Sequence, residues 1–394
     1  MIGALSIKNL VSFSDLSDQD LQLLLDTAEQ MAEAIGFGQP VEPSPVAPLD
    51  RILATAFYEP STRTRLSFEA AMLRLGGQVI GFAEAGSSSA AKDESVADTA
   101  RIVSAYCDIL VMRHPLAGAA KVAAAAATVP FINAGDGPRE HPTQTLTDLF
   151  CIRRELGTLS GLKVGLCGDL KYGRTVHSLA PVMARMGSEI VCIAPPQLAM
   201  PERYLAEIEA ASGARPVATD DLEGSLAELD VLYMTRIQRE RFANQDEYEQ
   251  VAGIYGLTPE IMKQAQENMR VLHPLPRVDE ISPAVDADPR AAYFRQAAGG
   301  VPVRMALIAL LLGLPQFQPA MKGIGLGKPP RKAEPQAEAI APAPEPTKIT
   351  GMGRCRNEKC IAGPEGDQSL EPAFLETSDG RLICAYCEEQ HQTE

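Results

Sequence analysis

Long apolar runs are missing from this 394-residue sequence: none approaches the roughly 20 residues that a membrane-spanning helix requires. The opening stretch, Met1 to Phe13, lacks the basic segment and apolar core of a secretory leader. The expected address is therefore the cytoplasm, with no membrane partner. Basic residues are in deficit, with 36 Lys and Arg against 51 Asp and Glu and a formal net charge of -15. This argues against a nucleic-acid partner, because phosphate backbones are gripped by clustered cations over a broad face. No fixed-period repeat is present either. What remains is 45% hydrophobic and 22% charged, the composition of an ordinary globular protein, and the length suggests two or three domains. In so acidic a chain, arginines that occur in groups stand out.

Between about Arg51 and Phe150, short apolar runs (Ile52–Tyr58, Val79–Phe82, Ile109–Met112, Val129–Asn133) alternate with helical patterns. The helical pieces are Arg63–Leu75, where Leu66, Ala70 and Leu73 repeat at helical spacing, and the alanine-rich Lys121–Thr128. A second series follows Gly161, with candidate strands at Lys163–Cys167, Glu189–Ala194, Val231–Met234 and Val271–His273. Buried strands alternating with helices predict two parallel-sheet α/β domains, joined by the helix around Thr143–Leu156. A cleft between them is the default binding site. Met305–Leu312 reads as an apolar final helix whose start is marked by Pro302. Residues 318–350, rich in Pro, Ala, Lys and Glu, read as a semi-extended linker.

Ser61 follows Pro60 at the end of a strand and opens a helix, so its hydroxyl and the free N–H groups of the first turn form an anion site. Thr62, Arg63 and Thr64 add hydroxyls and a guanidinium fork suited to a dianionic phosphate. A capped helix with exposed arginines is the plainer alternative. Arg113 ends a strand and His141 opens a helix, which puts both at the sheet's carboxyl edge, able to polarise a carbonyl oxygen. His141 is also readable as a structural helix-start histidine. His114 and His177 are taken as structural.

In the second domain the segment Asp169–Thr175 is not spaced as Gly-x-Gly-x-x-Gly, so a dinucleotide site is poorly supported. Arg174, at a strand-to-helix turn, is placed to clamp a carboxylate. Arg236 and Gln238 lie two apart and face the same way in extended chain, offering a second carboxylate grip. A solvated charged loop is the alternative there. His273-Pro274-Leu275-Pro276-Arg277 is a strand end stiffened by two prolines, whose carbonyls could hold an amine or amide.

Cys107, Cys151, Cys167 and Cys192 are scattered among apolar residues and read as buried thiols. Cys355, Cys360, Cys384 and Cys387 instead form two short-spaced pairs near the C-terminus. Four thiolates from two knuckles fit a closed tetrahedral zinc site, with His391 as a spare. Unpaired cysteines on a floppy tail are the alternative.

Taken together, Phe57–Pro60 with Ser61–Arg65, Val111–Pro115, His141–Gln144, Asp169–Thr175, Tyr233–Arg241 and Val271–Arg277 resemble the aspartate carbamoyltransferase catalytic chain over residues 1 to 314. The resemblance implies transfer of a carbamoyl group from carbamoyl phosphate to L-aspartate, in de novo pyrimidine biosynthesis. It assigns the phosphate to Ser61, Thr62, Arg63 and Thr64, the carbamoyl oxygen to Thr64, Arg113 and His141, and the carbamoyl amine to Gln144. The carbonyls of Leu275 and Pro276 would face the carbamoyl nitrogen. Arg174 with Thr175 would take the aspartate α-carboxylate, and Arg236 and Gln238 its β-carboxylate. Ser88 and Lys92 would arrive from a neighbouring subunit of a homotrimer, with Ala91 standing where the family carries another lysine. No active-site metal is implied. An ornithine carbamoyltransferase would share the phosphate grip, but this chain has Pro274 where that relative carries cysteine, and Arg236 where it needs an acid.

The tail, with Cys355-Arg356-Asn357 through Cys360-Ile361 and Cys384-Ala385-Tyr386-Cys387-Glu388, resembles the zinc domain of the aspartate carbamoyltransferase regulatory chain. That chain's nucleotide domain has no counterpart between Leu314 and Gly351, so the tail is expected to join trimers into a larger assembly, or to dock on a neighbouring chain, without sensing an effector. The expected layout is a carbamoyl phosphate-binding domain (1–150), an aspartate-binding domain (151–300), a C-terminal helix packing back on the first domain (301–317), the linker (318–350) and a zinc-ribbon-like domain (351–394). Two rival classes, a zinc-ribbon adaptor on an inert scaffold and a carboxylate-binding regulator, both predict broken catalytic positions. Arg63, Arg113, His141, Arg174 and Arg236 together speak against them.

Overall fold

The computed structural model describes residues 4–37, 49–84, 86, 93–237, 239, 248–249, 251, 253–314, 348–377 and 380–391. Ser88, Lys92 and Gln238, and most of the 318–350 linker, lie outside them.

Two parallel sheets form the body. The first has the order β2-β1-β3-β4, from Gln78–Phe82, Ile52–Phe57, Ile109–His114 and Phe131–Asp136. The second runs β7-β6-β5-β8-β9, from Val217–Thr219, Glu189–Ile193, Lys163–Cys167, Val231–Met234 and Arg270–Leu272. The central strands β1, β3, β5 and β8 are mostly apolar and buried, as sheets covered on both faces require. Helices α1 (Asp18–Ala34), α2 (Thr62–Arg74), α3 (Val96–Ser104), α4 (Ala119–Ala126) and α5 (Pro142–Leu156) accompany the first sheet. Helices α6 (Arg174–Arg185) and α7 (Glu202–Ser212) pack together beside the second. Helix α8 (Tyr293–Leu311) returns to lie against α1, α2 and α5. The 150/151 and 300/301 boundaries fall inside α5 and α8, so both helices are common to the two halves.

Two local expectations change. Helix α2 exists, but it buries Thr64, Phe68, Ala71 and Met72, while Leu66 and Leu73 are 51% and 60% exposed. The helical repeat of Leu66, Ala70 and Leu73 therefore marks the outer face. Pro302 does not start the last helix; it lies within α8, whose first turns carry buried Tyr293 and Gln296. One backbone donor is lost there, yet packing against three helices holds the segment helical.

The tail is a four-stranded antiparallel sheet, β10 to β13 in sequence order (Lys348–Thr350, Ala373–Glu376, Leu382–Cys384, Gln390–His391). It sits on the first domain of its own chain. The Ala117 N–H donates to the Lys359 carbonyl at 2.8 Å and Ile361 N–H donates to the Ala117 carbonyl at 2.9 Å, making a parallel bridge between Ala117 and Cys360. Gly118 has φ +86°, and a Cβ there would come within 2.6 Å of Tyr386 Cβ, so the close approach needs glycine. Lys121 reaches the Ala385 carbonyl at 3.2 Å, and Glu388 pairs with Lys121 at 2.5 Å and Arg139 at 2.9 Å.

Candidate functional site

Parallel strands deliver their successors to one edge of the sheet, and here both sheets turn that edge toward a common cleft. Strand β1 runs into Ser61 and α2, β3 ends on Arg113-His114, and β4 leads to His141 and α5. From the second sheet, β5 leads to Arg174 and α6, β8 to Thr235 and Arg236, and β9 to His273–Pro276. The cleft between them has a volume of about 660 Å³. Its wall includes Arg63, Thr64, Arg113, His141, Gln144, Arg174, Thr175, Arg236, Leu275 and Pro276. Ser61 caps α2 without a side-chain bond to the helix; its Oγ lies 3.5 Å from Arg113 Nη1.

The first half of the site is interlocked. Arg113 Nε donates to Glu59 Oε1 at 2.6 Å, fixing the guanidinium plane. Partial desolvation of the Arg63 head group, and then repulsion from Arg113, push the Arg63 pKa down, which means that an anion between the two is favoured. Thr64 Oγ1 is 3.3 Å from His141 Nε2, and Thr143 Oγ1 is 3.4 Å from His141 Nδ1. Complete burial, followed by the charges of Arg174, Arg113 and Arg304, drives the His141 pKa well below the usual histidine range. The imidazole is therefore neutral, and acts as a hydrogen-bonding group rather than a cation.

Gln144 donates through Nε2 to Asp148 Oδ1 at 2.7 Å, which leaves its oxygen as the acceptor facing the cleft. Asp148 is wholly buried and also receives Gln296 Nε2 at 2.6 Å and Tyr233 Oη at 2.9 Å. Burial raises its carboxyl to about 7 against these donors. This carboxyl joins α5, α8 and the second sheet, and no motif in the sequence singles it out. Arg304 is another residue outside the sequence motifs: buried against the Phe68 ring at 5.0 Å, with its pKa lowered to about 10 by burial.

From the second half, Arg174 reaches across to donate to the Gly137 carbonyl, so the two domains already touch at the cleft. The Leu275 carbonyl is engaged by Arg63 Nη2 at 2.6 Å rather than directed at open space. The loop that carries it is braced by Leu275 N–H donating to His273 Nδ1 at 2.8 Å, with His273 Nε2 at 2.6 Å from Glu280. Arg65 of the arginine cluster points away and pairs with Glu69 at 2.9 Å. His114 and His177 are buried, each lowered to about 4 by burial.

The second centre is the tail's cysteine cluster. The Sγ atoms of Cys355, Cys360, Cys384 and Cys387 all lie within 4.8 Å of one another, and all four residues are buried. The Cys355–Cys387 and Cys360–Cys384 sulfurs are 3.7 Å apart. A tetrahedron with metal–sulfur bonds of about 2.3 Å has edges of about 3.8 Å, so the donor set matches a four-thiolate ion site. His391 is not part of it and packs on Phe374.

The model of the aspartate/ornithine carbamoyltransferase carbamoyl-P binding domain matches residues 8–154, and that of the Asp/Orn binding domain matches 160–311. The metal binding domain of the aspartate carbamoyltransferase regulatory chain matches 347–394. The chain is 51% identical over 307 residues to the aspartate carbamoyltransferase catalytic subunit of Thermococcus onnurineus, covering 78% of this chain and 97% of that protein. It is also 51% identical over 310 residues to the Clostridium botulinum catalytic subunit, covering 78% and 98%. Among solved structures, the M. jannaschii aspartate transcarbamoylase catalytic subunit matches with a TM-score of 0.71 at 44% identity, covering 79% of this chain and 99% of that one. The Trypanosoma cruzi aspartate transcarbamoylase bound to N-(phosphonacetyl)-L-aspartic acid matches with a TM-score of 0.71 at 40% identity, covering 78% and 96%.

Proposed function

The chain belongs to the aspartate carbamoyltransferase family, and from that premise we propose how its own residues carry the reaction. It transfers the carbamoyl group of carbamoyl phosphate to L-aspartate, giving N-carbamoyl-L-aspartate and phosphate for pyrimidine biosynthesis. The observation that carries the residue assignment is the convergence of Arg63, Arg113 and neutral His141 from one sheet with Arg174 and Arg236 from the other on a single cleft.

Ser61, Thr62, Arg63 and Thr64 hold the phosphate at the start of α2, where free N–H groups and the helix dipole favour an anion. Thr64, Arg113 and His141 donate to the carbamoyl oxygen. Because His141 is neutral, it supports the growing oxyanion without neutralising the departing phosphate prematurely. Gln144, oriented by Asp148, accepts from the carbamoyl NH2 group. The carbonyls of Leu275 and Pro276 join it once bound phosphate draws Arg63 away from Leu275. Arg174 and Thr175 take the aspartate α-carboxylate, and Arg236 with Gln238 its β-carboxylate, which presents the uncharged amine to the carbonyl carbon. Attack forms the C–N bond, the C–O bond to phosphate breaks with its charge already paired, and the proton of the attacking amine passes to the departing phosphate.

The assembly in this reading is a homotrimer in which a neighbour supplies Ser88 and Lys92. Leu66, Leu73 and Ile80, exposed on α2 and the edge strand β2, supply an apolar face that a second copy would cover. The cysteine cluster holds structural zinc, and the face of the tail turned away from its own first domain joins trimers into a larger assembly. The free thiols of the body, with this cluster, suit the reducing cytoplasm.

The test is product formation from carbamoyl phosphate with aspartate, then with ornithine, using Arg236→Ala as the control. Carbamoyl aspartate should form with the wild-type chain only. A folded, assembled wild-type preparation that makes none overturns the proposal.

A further inference from the structure

Among the described residues, the cleft wall contains one that belongs to neither α/β domain. Lys359, in the turn between Cys355 and Cys360 of the metal cluster's first pair, lines the cleft beside Pro115, Leu116, Gly137 and Pro138. Its backbone is pinned there: the Lys359 carbonyl accepts from Ala117 N–H at 2.8 Å, Lys359 N–H donates to Asn357 Oδ1 at 2.9 Å, and the next turn of chain bonds back through Ile361 N–H to Ala117 at 2.9 Å. Its side chain is exposed. The same rim carries the entry side of the amino-acid site, since the Gly137 carbonyl accepts from Arg174.

We propose that the tail completes the catalytic cleft of its own chain, with Lys359 acting as a substrate-binding cation that draws the dicarboxylate substrate onto Arg174. The inference rests on the aspartate carbamoyltransferase reading above. Charge supports it. Among the described residues Glu59 is the one carboxylate in the cleft wall, and it is engaged by Arg113, whereas both substrates are anions. A lysine at the mouth extends the positive field outward to where the second substrate arrives, and a long flexible ammonium suits capture better than rigid orientation. The tail thereby does more than occupy a surface: its cysteine knuckle fixes the height at which the Lys359 side chain leaves the backbone.

The test uses the full chain with its metal bound. Lys359→Gln removes the charge and nearly keeps the length; Lys359→Arg keeps the charge; Lys359→Glu reverses it. At low ionic strength, Lys359→Gln should raise the aspartate KM about three- to five-fold, and Lys359→Glu about ten-fold, with kcat little changed and Lys359→Arg close to wild type. The differences should shrink as salt approaches roughly 0.5 M, where the screening length falls to a few ångströms. Zinc content and mass measured on each variant separate a lost charge from a lost tail. An aspartate KM for Lys359→Gln equal to wild type at low salt, with zinc and mass retained, overturns the proposal. So does an Arg variant as impaired as the Gln variant. Failure of the underlying reading is separately visible, because then the wild-type chain itself makes no carbamoyl aspartate.

Discussion

The α/β body and the tail are held together by different means. The body buries Phe57, Phe68, Phe131, Phe150, Tyr233 and Tyr293 completely, within three apolar clusters that include most strands of both sheets. The tail, among its described residues, centres on Phe374, Ala362 and four cysteines, while its Ile361 packs into the first domain's apolar cluster. So small a core cannot offset the entropy of ordering some 40 residues, and the sulfurs must supply the difference through an ion. The roles divide accordingly. In the body polar groups are freed for chemistry, whereas in the tail the four thiols are consumed by structure.

The sharpest way to break this comparison is to remove the ion's ligands. Cys384→Ser with Cys387→Ser should unfold the tail, since structural zinc contributes on the order of 10 kcal/mol in small domains. Zinc content should fall to zero and the tail should become protease-sensitive, while the circular dichroism of the body persists. Assembly mass in light scattering should also drop, and an unchanged mass would sink the assembly role given to the tail.

Arg113→Ala makes the converse cut. It leaves the sulfur cluster intact and removes a donor to the developing oxyanion, so kcat should fall by about 10²- to 10³-fold, or roughly 3–4 kcal/mol. Zinc content should not change. If kcat moved less than ten-fold, Arg113 would be a scaffold residue held by Glu59 rather than a catalyst.

How far each region was legible from sequence follows from what local pattern encodes. Strand positions came out to within a few residues because β1, β3, β5 and β8 are apolar runs of strand length, a signal that needs no tertiary context. The cleft residues at the sheet's carboxyl edge were legible for the same reason, as strand ends and helix starts. Leu66 and Leu73 misled because an apolar face turned outward has the same periodicity as one turned inward. Pro302 misled because a local breaker signal was overridden by burial among three helices. Asp148 carries no motif at all: it matters only because folding brings Gln296 and Tyr233, far along the chain, onto its two oxygens. Lys359 was hidden likewise, since only docking of the tail brings it to the cleft.

Asp148 yields a pH test confined to the body. Its carboxyl titrates near 7 in the folded chain against about 4 when unfolded, so between those values the folded state holds a proton that the unfolded state has released. Stability attributable to this group is therefore full below about pH 4 and declines as pH rises toward 7. Asp148→Asn should flatten that part of the pH–stability curve, by about 1–3 kcal/mol between pH 5 and pH 8 in denaturant titrations. An unaltered curve would show that the three donors keep Asp148 ionised throughout.

The smallest expected effect lies at the seam between the two regions. Glu388 of the tail faces Lys121 and the nearly buried Arg139 of the body, and these charges, with a hydrogen bond from each cation, hold its carboxyl below the usual glutamate range despite burial. Glu388→Gln keeps the shape and removes the charge. Arg139 is not stranded by the change, because Glu140 stays within 3.3 Å and Asp136 within 3.8 Å. The cost should then be about 1 kcal/mol, as for a partly exposed pair rather than an orphaned buried charge. It should appear as faster amide exchange at Ala117 and Ile361, whose N–H groups form the bridge between tail and body. Zinc binding should not change, because none of the four sulfurs is touched. If exchange at the bridge stayed at the wild-type rate, the backbone bridge and the Tyr386 contact at Gly118 would hold the tail in place, and Lys359 would keep its position at the cleft without help from the ion pairs.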